Sequence, residues 1–110
     1  MAEQREARRK PLRGTGTIRL QPAYEVEARM LDVSTKGAGV VTAMAFAPET
    51  ECTLRFPVPG PDARSVWLEA KVCVVDCVLS GAVQGFRLGL RFSGTLASAA
   101  ASVIETYVDT

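Results

Sequence analysis

The sequence contains no histidine. That absence removes the commonest general base and the usual catalytic triads. It also leaves a zinc site only three thiolates and an acid to draw on, because the cysteines number three: Cys52, Cys73 and Cys77. Cys73 and Cys77, four apart in a predicted strand, share a face and lie about 13 Å apart along the chain, beyond the reach of a disulfide. Reduced, mostly buried thiols are the expectation. No Gly-x-x-x-x-Gly-Lys phosphate loop and no Gly-x-Gly-x-x-Gly fingerprint is present, since Gly14 and Gly16 precede a strand rather than a helix. Glu25 and Glu27 pair on an outward strand face, where solvated carboxylates are the default. The chain is therefore expected to be no enzyme, with no metal and no cofactor. Long apolar runs are missing too: none approaches the ~20 residues that span a bilayer. The N-terminus is charged from Glu3 onward and lacks the apolar core of a signal peptide. No membrane insertion and a cytoplasmic location are the corresponding expectations.

What is present is enough for one domain. A chain of 110 residues with 47% apolar content can bury a core without staples. The net charge of +1 hides an uneven distribution. Residues 1–13 carry Arg5, Arg8, Arg9, Lys10 and Arg13 against Glu3 and Glu6, a balance of +3, and the rest carries eight bases against ten acids, a balance of −2. A basic arm on a slightly acidic body points to an anionic partner.

Residues 1–15 show no period-two pattern, and Pro11 opposes a helix there, so they read as a flexible basic arm leading into a domain over 16–110. Alternation then predicts strands at Thr17–Gln21, Glu25–Val33, Ala38–Thr42, Cys52–Val58, Val66 to about Val78, and Gly85–Phe92. Their inward residues include Ile18, Leu20, Val26, Ala28, Met30, Leu54, Phe56, Val58, Phe86, Leu88, Leu90 and Phe92. Thr95 is the expected N-cap of a closing helix from about Leu96 to Val108. Its apolar stripe runs through Leu96, Ala99, Ala100, Val103, Ile104, Tyr107 and Val108. Six short antiparallel strands with Gly/Pro turns predict a mainly β fold, a six-stranded antiparallel barrel with a C-terminal helix. The helix covers the barrel or, alternatively, docks a second subunit; a monomer or weak dimer is expected.

Two motifs stand out. Arg9-Lys10-Pro11-Leu12-Arg13 is Arg-x-x-x-Arg, directly preceded by Arg8; Arg5 and Arg9 satisfy the same spacing, so the register stays open. About twenty residues on, Asp32-Val33-Ser34-Thr35-Lys36-Gly37 is Asp-x-Ser-x-x-Gly. Alone, the second motif is a well-made turn, with short acceptors folding back on backbone N–H groups. Gly37 and Gly39 would let another group approach the backbone. Together the motifs suggest more. Arginine's planar fork suits phosphate oxygens and the O6/N7 edge of guanine, and a carboxylate accepts from guanine N1–H and N2–H. A basic arm beside such a turn could close over a guanine nucleotide. A nucleic-acid module is the alternative of another class, but only Tyr24 and Trp67 look free to stack on bases. An arm that is merely a solubilising tail is the plainest one.

In this order and separation, the motifs resemble the PilZ domain family, bacterial receptors for the second messenger cyclic di-GMP. The resemblance runs from Arg8-Arg9 through Asp32-x-Ser34-x-x-Gly37 to the Gly85-Phe-Arg-Leu-Gly-Leu-Arg-Phe92 strand and the closing helix. It implies a ligand site between the N-terminal loop and the barrel surface. Arg9 and Arg13 would grip phosphate and guanine edges, Asp32 would read a guanine, and Ser34 would contact ligand. Gly37 and Gly39 would let the ligand close on the backbone. Arg8 resembles the position associated with two stacked ligand molecules. The resemblance also implies motility or biofilm signalling through an effector protein. The aperiodic arm, with Pro11, the closing Gly14-Thr15-Gly16 and its +3 balance, is expected to become ordered on ligand and so carry the signal. Its alternative within the family is a ligand-independent adaptor in pilus assembly.

Overall fold

The computed structural model describes residues 8–21, 24–60, 62 and 64–110. Its elements are β1 (Lys10–Pro11), β2 (Thr15–Gln21), β3 (Tyr24–Val33), β4 (Gly37–Thr42), β5 (Glu51–Pro59), β6 (Ser65–Ser80), β7 (Gly85–Phe92) and α1 (Ser98–Val108). The six expected strands are β2 to β7. All pair antiparallel in the order β3-β2-β5-β6-β7-β4, and a β3–β4 pairing closes the ring into a barrel. Closure removes the exposed edges that an open sheet of short strands would leave.

Alternation builds the core. Ile18, Ala28, Leu54, Phe56, Val58, Val72, Leu88 and Leu90 point inward and are buried, as period two requires. On α1 the residues Ala100, Ile104 and Val108 join the same core, and the helix packs on β5 and β6. The barrel therefore covers the helix's apolar stripe. Ala99, expected on that stripe, is exposed instead. The helix also starts later than predicted: its N-cap is Ala97, without a side-chain hydrogen bond, rather than Thr95. No helix is long and apolar enough to cross a membrane among the described residues.

Two expectations need correction. The arm does not stay loose to residue 15. Lys10 and Pro11 pair with Val33 and Asp32 of β3, the Leu12 N–H donates to the Leu31 carbonyl at 3.0 Å, and Gly14 accepts from the Met30 N–H at 2.8 Å. Leu12 is only 2% exposed and belongs to the core, and β2 already begins at Thr15. One buried leucine and a row of backbone bonds tie this segment down. Secondly, Cys73 and Cys77 do not share a face. A bulge between Val74 and Asp76 shifts the register, so Cys73 pairs with Arg91 and Cys77 with Leu88. One extra residue reverses the alternation. All three cysteines are free thiols; Cys52 and Cys73 are buried and Cys77 half-buried.

Candidate functional site

The same device, a bulge, places Asp32. Regular alternation would put it on the inward face with Val26, Ala28 and Met30. Between Met30 and Asp32 the register slips by one, so Met30 faces Val40 while Asp32 faces Gly39. The carboxylate is thereby turned out of the core. It lies flat on the sheet because Gly39 has no side chain: a Cβ there would sit 2.8 Å from Asp32 Oδ1. Arg9 completes the arrangement, its guanidinium donating to Asp32 Oδ1 at 2.9 Å. The arm reaches that point because β1 pairs with the end of β3. Arg9 is half exposed, and Asp32 keeps 30% of its side-chain surface in solvent.

Ser34 and Gly37 have a different part. Ser34 is 1% exposed. Its Oγ accepts from the Lys36 and Gly37 N–H groups at 3.0 and 3.2 Å, and its own N–H donates to the Gly37 carbonyl at 2.8 Å. A Cβ on Gly37 would lie 1.9 Å from the Leu90 carbonyl oxygen. The hydroxyl thus holds the turn, and the glycine lets that turn press on β7. Ser34 and Gly37 thereby help to set the position of Asp32 and Gly39, and Gly37 also lines a cavity that Arg9 borders.

The floor around Asp32 is wider than the motifs. Gly39 pairs with Gly89 across β4 and β7, giving a bare patch on the outer surface. On β7 the outward residues are Arg87, Gly89 and Arg91, so a guanidinium stands on each side of the glycine along the strand. A cavity of about 180 Å³ is lined by Arg9, Asp32, Gly39, Asp76, Arg87 and Gly89 among others. A second, of about 280 Å³, shares Arg9, Asp76 and Gly89 and adds Lys36, Val75 and Arg91. A larger cavity, about 560 Å³, lies elsewhere, beside Arg19, Glu25, Glu51 and Lys71, and contains none of the motif residues.

Of the residues singled out in the sequence, Arg9, Asp32 and Gly39 line one cavity, and Gly37 lines the neighbouring one with Arg9. Arg8 turns toward the end of α1, 3.7 Å from Asp109, with both side chains largely in solvent. Arg13 is exposed and lines neither cavity. Arg5 falls outside the described residues. Arg87, Gly89 and Arg91 were missed as site residues, although the period-two reading that sent Phe86, Leu88 and Leu90 inward also sends them outward. Asp76 carried no such signal, because only the bulge turns it out.

An outward carboxylate, a glycine floor and arginines on three sides can hold a ligand that offers both anionic oxygens and paired N–H donors. The sequence matches the PilZ domain over residues 3–110. The chain belongs to the PilZ domain family, whose members are receptor and adaptor domains rather than enzymes. Among solved structures it is similar to the Bacillus subtilis inhibitor of motility (MotI/DgrA). The TM-score is 0.81 and the identity 18%, covering 94% of this chain and 49% of that one. At that identity the likeness speaks for the fold, and the chain spans about half the length of this neighbour. No curated protein sequence matches it.

Proposed function

We propose that this protein is a cytoplasmic receptor for cyclic di-GMP that signals to a partner protein. The observation that carries the reading is the meeting of Arg9 with Asp32 at 2.9 Å over the Gly39 backbone. That contact brings one residue of each motif together from separate parts of the chain, which supports the reading. Asp32 would accept from guanine N1–H and N2–H, and Arg9 would exchange it for phosphate or the O6/N7 edge. Arg87 and Arg91 supply further positive charge beside the floor, and Arg13, exposed but outside both cavities, would have to turn toward the ligand to grip it. Because residues 10–15 are already bonded to β3, the signal does not come from ordering that stretch. It comes from residues 8–10, which lie between Asp32 and the end of α1 and move when Arg9 changes partner.

The adaptor reading within the family draws on one observation, that Arg9 and Asp32 already satisfy each other. Calorimetric titration of the purified chain with cyclic di-GMP, against GTP and cyclic AMP, separates the two. A receptor gives saturable heat with cyclic di-GMP alone. An adaptor gives none.

A further inference from the structure

The bulge that turns Asp32 outward has a counterpart across the same floor. In β6 the extra residue is Val75, and beyond it Asp76 faces out and pairs with Gly89. Its Oδ1 accepts from the Gly89 N–H at 2.9 Å. A Cβ on Gly89 would lie 2.6 Å from Asp76 Oδ1, as one on Gly39 would lie 2.8 Å from Asp32 Oδ1. Gly39 and Gly89 are themselves register partners. A local twofold axis relates the two members of an antiparallel residue pair. The axis midway between Gly39 and Gly89 also relates β3 to β6, and Asp32, the partner of Gly39, to Asp76, the partner of Gly89. The row Asp32–Gly39–Gly89–Asp76 spans three strand spacings, about 14 Å between its end Cα positions, and both carboxylates lean inward over glycine. Arg9 borders both cavities above the row.

Cyclic di-GMP is itself twofold symmetric, with two guanines on one ring of two phosphodiesters. Resting on the receptor reading above, the geometry points to Asp76 as the reader of the second guanine. Asp32 takes one base, Asp76 takes the other, and Arg9 meets the phosphates between them. A pseudo-twofold site then receives a twofold ligand. Closing the bulge needs only one neutral acceptor for the Gly89 N–H. A carboxylate supplies more than that, and Asp76 Oδ2 makes no hydrogen bond to the described residues.

Asp76→Asn keeps an acceptor for Gly89 and removes the paired acceptors that guanine needs. The test titrates the parent chain, Asp32→Asn and Asp76→Asn with cyclic di-GMP and with cyclic GMP–AMP, which carries a single guanine. The parent is expected to prefer cyclic di-GMP by about tenfold or more. Asp76→Asn should weaken cyclic di-GMP by about tenfold to a hundredfold and bind the two ligands within about threefold of each other. The hybrid can still present its guanine to Asp32, and the melting temperature should match the parent's. Retention of the parent's preference overturns the assignment, whether the affinities stay unchanged or fall together. Loss of binding in Asp32→Asn with an unaltered Asp76→Asn removes Asp76 alone. A parent that binds no cyclic di-GMP removes the receptor reading and this one together.

Discussion

Arg9 and Asp32 stand 23 positions apart in the chain and 2.9 Å apart in the fold. Both are partly solvated, so the ion pair itself is worth about 0–1 kcal/mol. That weakness suits a binding site: a ligand can exchange the pair for its own contacts at little expense to the fold.

Arg9→Ala should therefore leave the unfolding free energy within about 1 kcal/mol of the parent's while weakening cyclic di-GMP by about tenfold to a hundredfold. Arg13→Ala should weaken binding comparably, and comparison with Arg5→Ala decides the register of the arm motif. Calorimetry and urea unfolding on the same samples give both numbers. Full affinity in Arg9→Ala and Arg13→Ala alike would remove the arm from the site.

Ser34→Ala should act the other way round. Its hydroxyl satisfies the Lys36 and Gly37 N–H groups inside a buried turn, and their loss costs about 1–3 kcal/mol of stability. Weakened binding would follow from a displaced Asp32, so Ser34→Thr should recover little where the added methyl has no room. A variant that unfolds like the parent yet loses affinity would instead assign Ser34 a direct ligand contact.

The barrel was legible because alternation is a strong signal. Val26, Ala28 and Met30, or Leu54, Phe56 and Val58, state which face is inside. The two bulges were not legible, since nothing in Met30-Leu31-Asp32 or Val74-Val75-Asp76 marks the residue left unpaired. Those bulges decide what the site contains: they turn Asp32 and Asp76 outward and place Cys73 and Cys77 on opposite faces. Leu12 was hidden for another reason. A single apolar residue between Pro11 and Arg13 has no period, and only its backbone pairing with β3 shows that it enters the core.

Leu12→Ala should accordingly lower stability by about 2–5 kcal/mol, the range for a buried leucine, measured by urea unfolding. A loss below about 0.5 kcal/mol, typical of surface positions, would mean that the segment is a loose tail after all.

Stability should also fall in alkali. Burial, with the neighbouring Cys73 adding to it, pushes the Cys52 thiol from 9.0 up to about 11. A group whose folded pKa is raised favours the folded state fully below its unfolded pKa. That contribution is lost as pH rises from about 9 toward 11, by about 1.4 kcal/mol per unit over that window. Cys52→Ala should flatten this part of the pH–stability curve. An equally steep decline in Cys52→Ala would assign it to other groups.

The arm also touches the other end of the chain. Tyr107 Oη donates to the Pro11 carbonyl at 2.5 Å. Lys10 Nζ donates to the Tyr107 carbonyl at 3.1 Å and to Thr110 Oγ1 at 2.6 Å, and stands 4.3 Å from the Tyr107 ring centroid. Lys10 is the neighbour of Arg9, so any ligand that draws Arg9 from Asp32 strains these bonds. Amide exchange should therefore change at residues 105–110 on saturation with cyclic di-GMP, and little at Val66–Val72 on the far side of β6. Residues 10–15, already bonded to β3, should be protected before ligand is added. Tyr107→Phe deletes one bond, worth about 1 kcal/mol. It should loosen residues 105–110 in advance and shrink their response to ligand, with affinity nearly unchanged. An undiminished response in Tyr107→Phe together with Lys10→Ala would show that the signal leaves the site by another route.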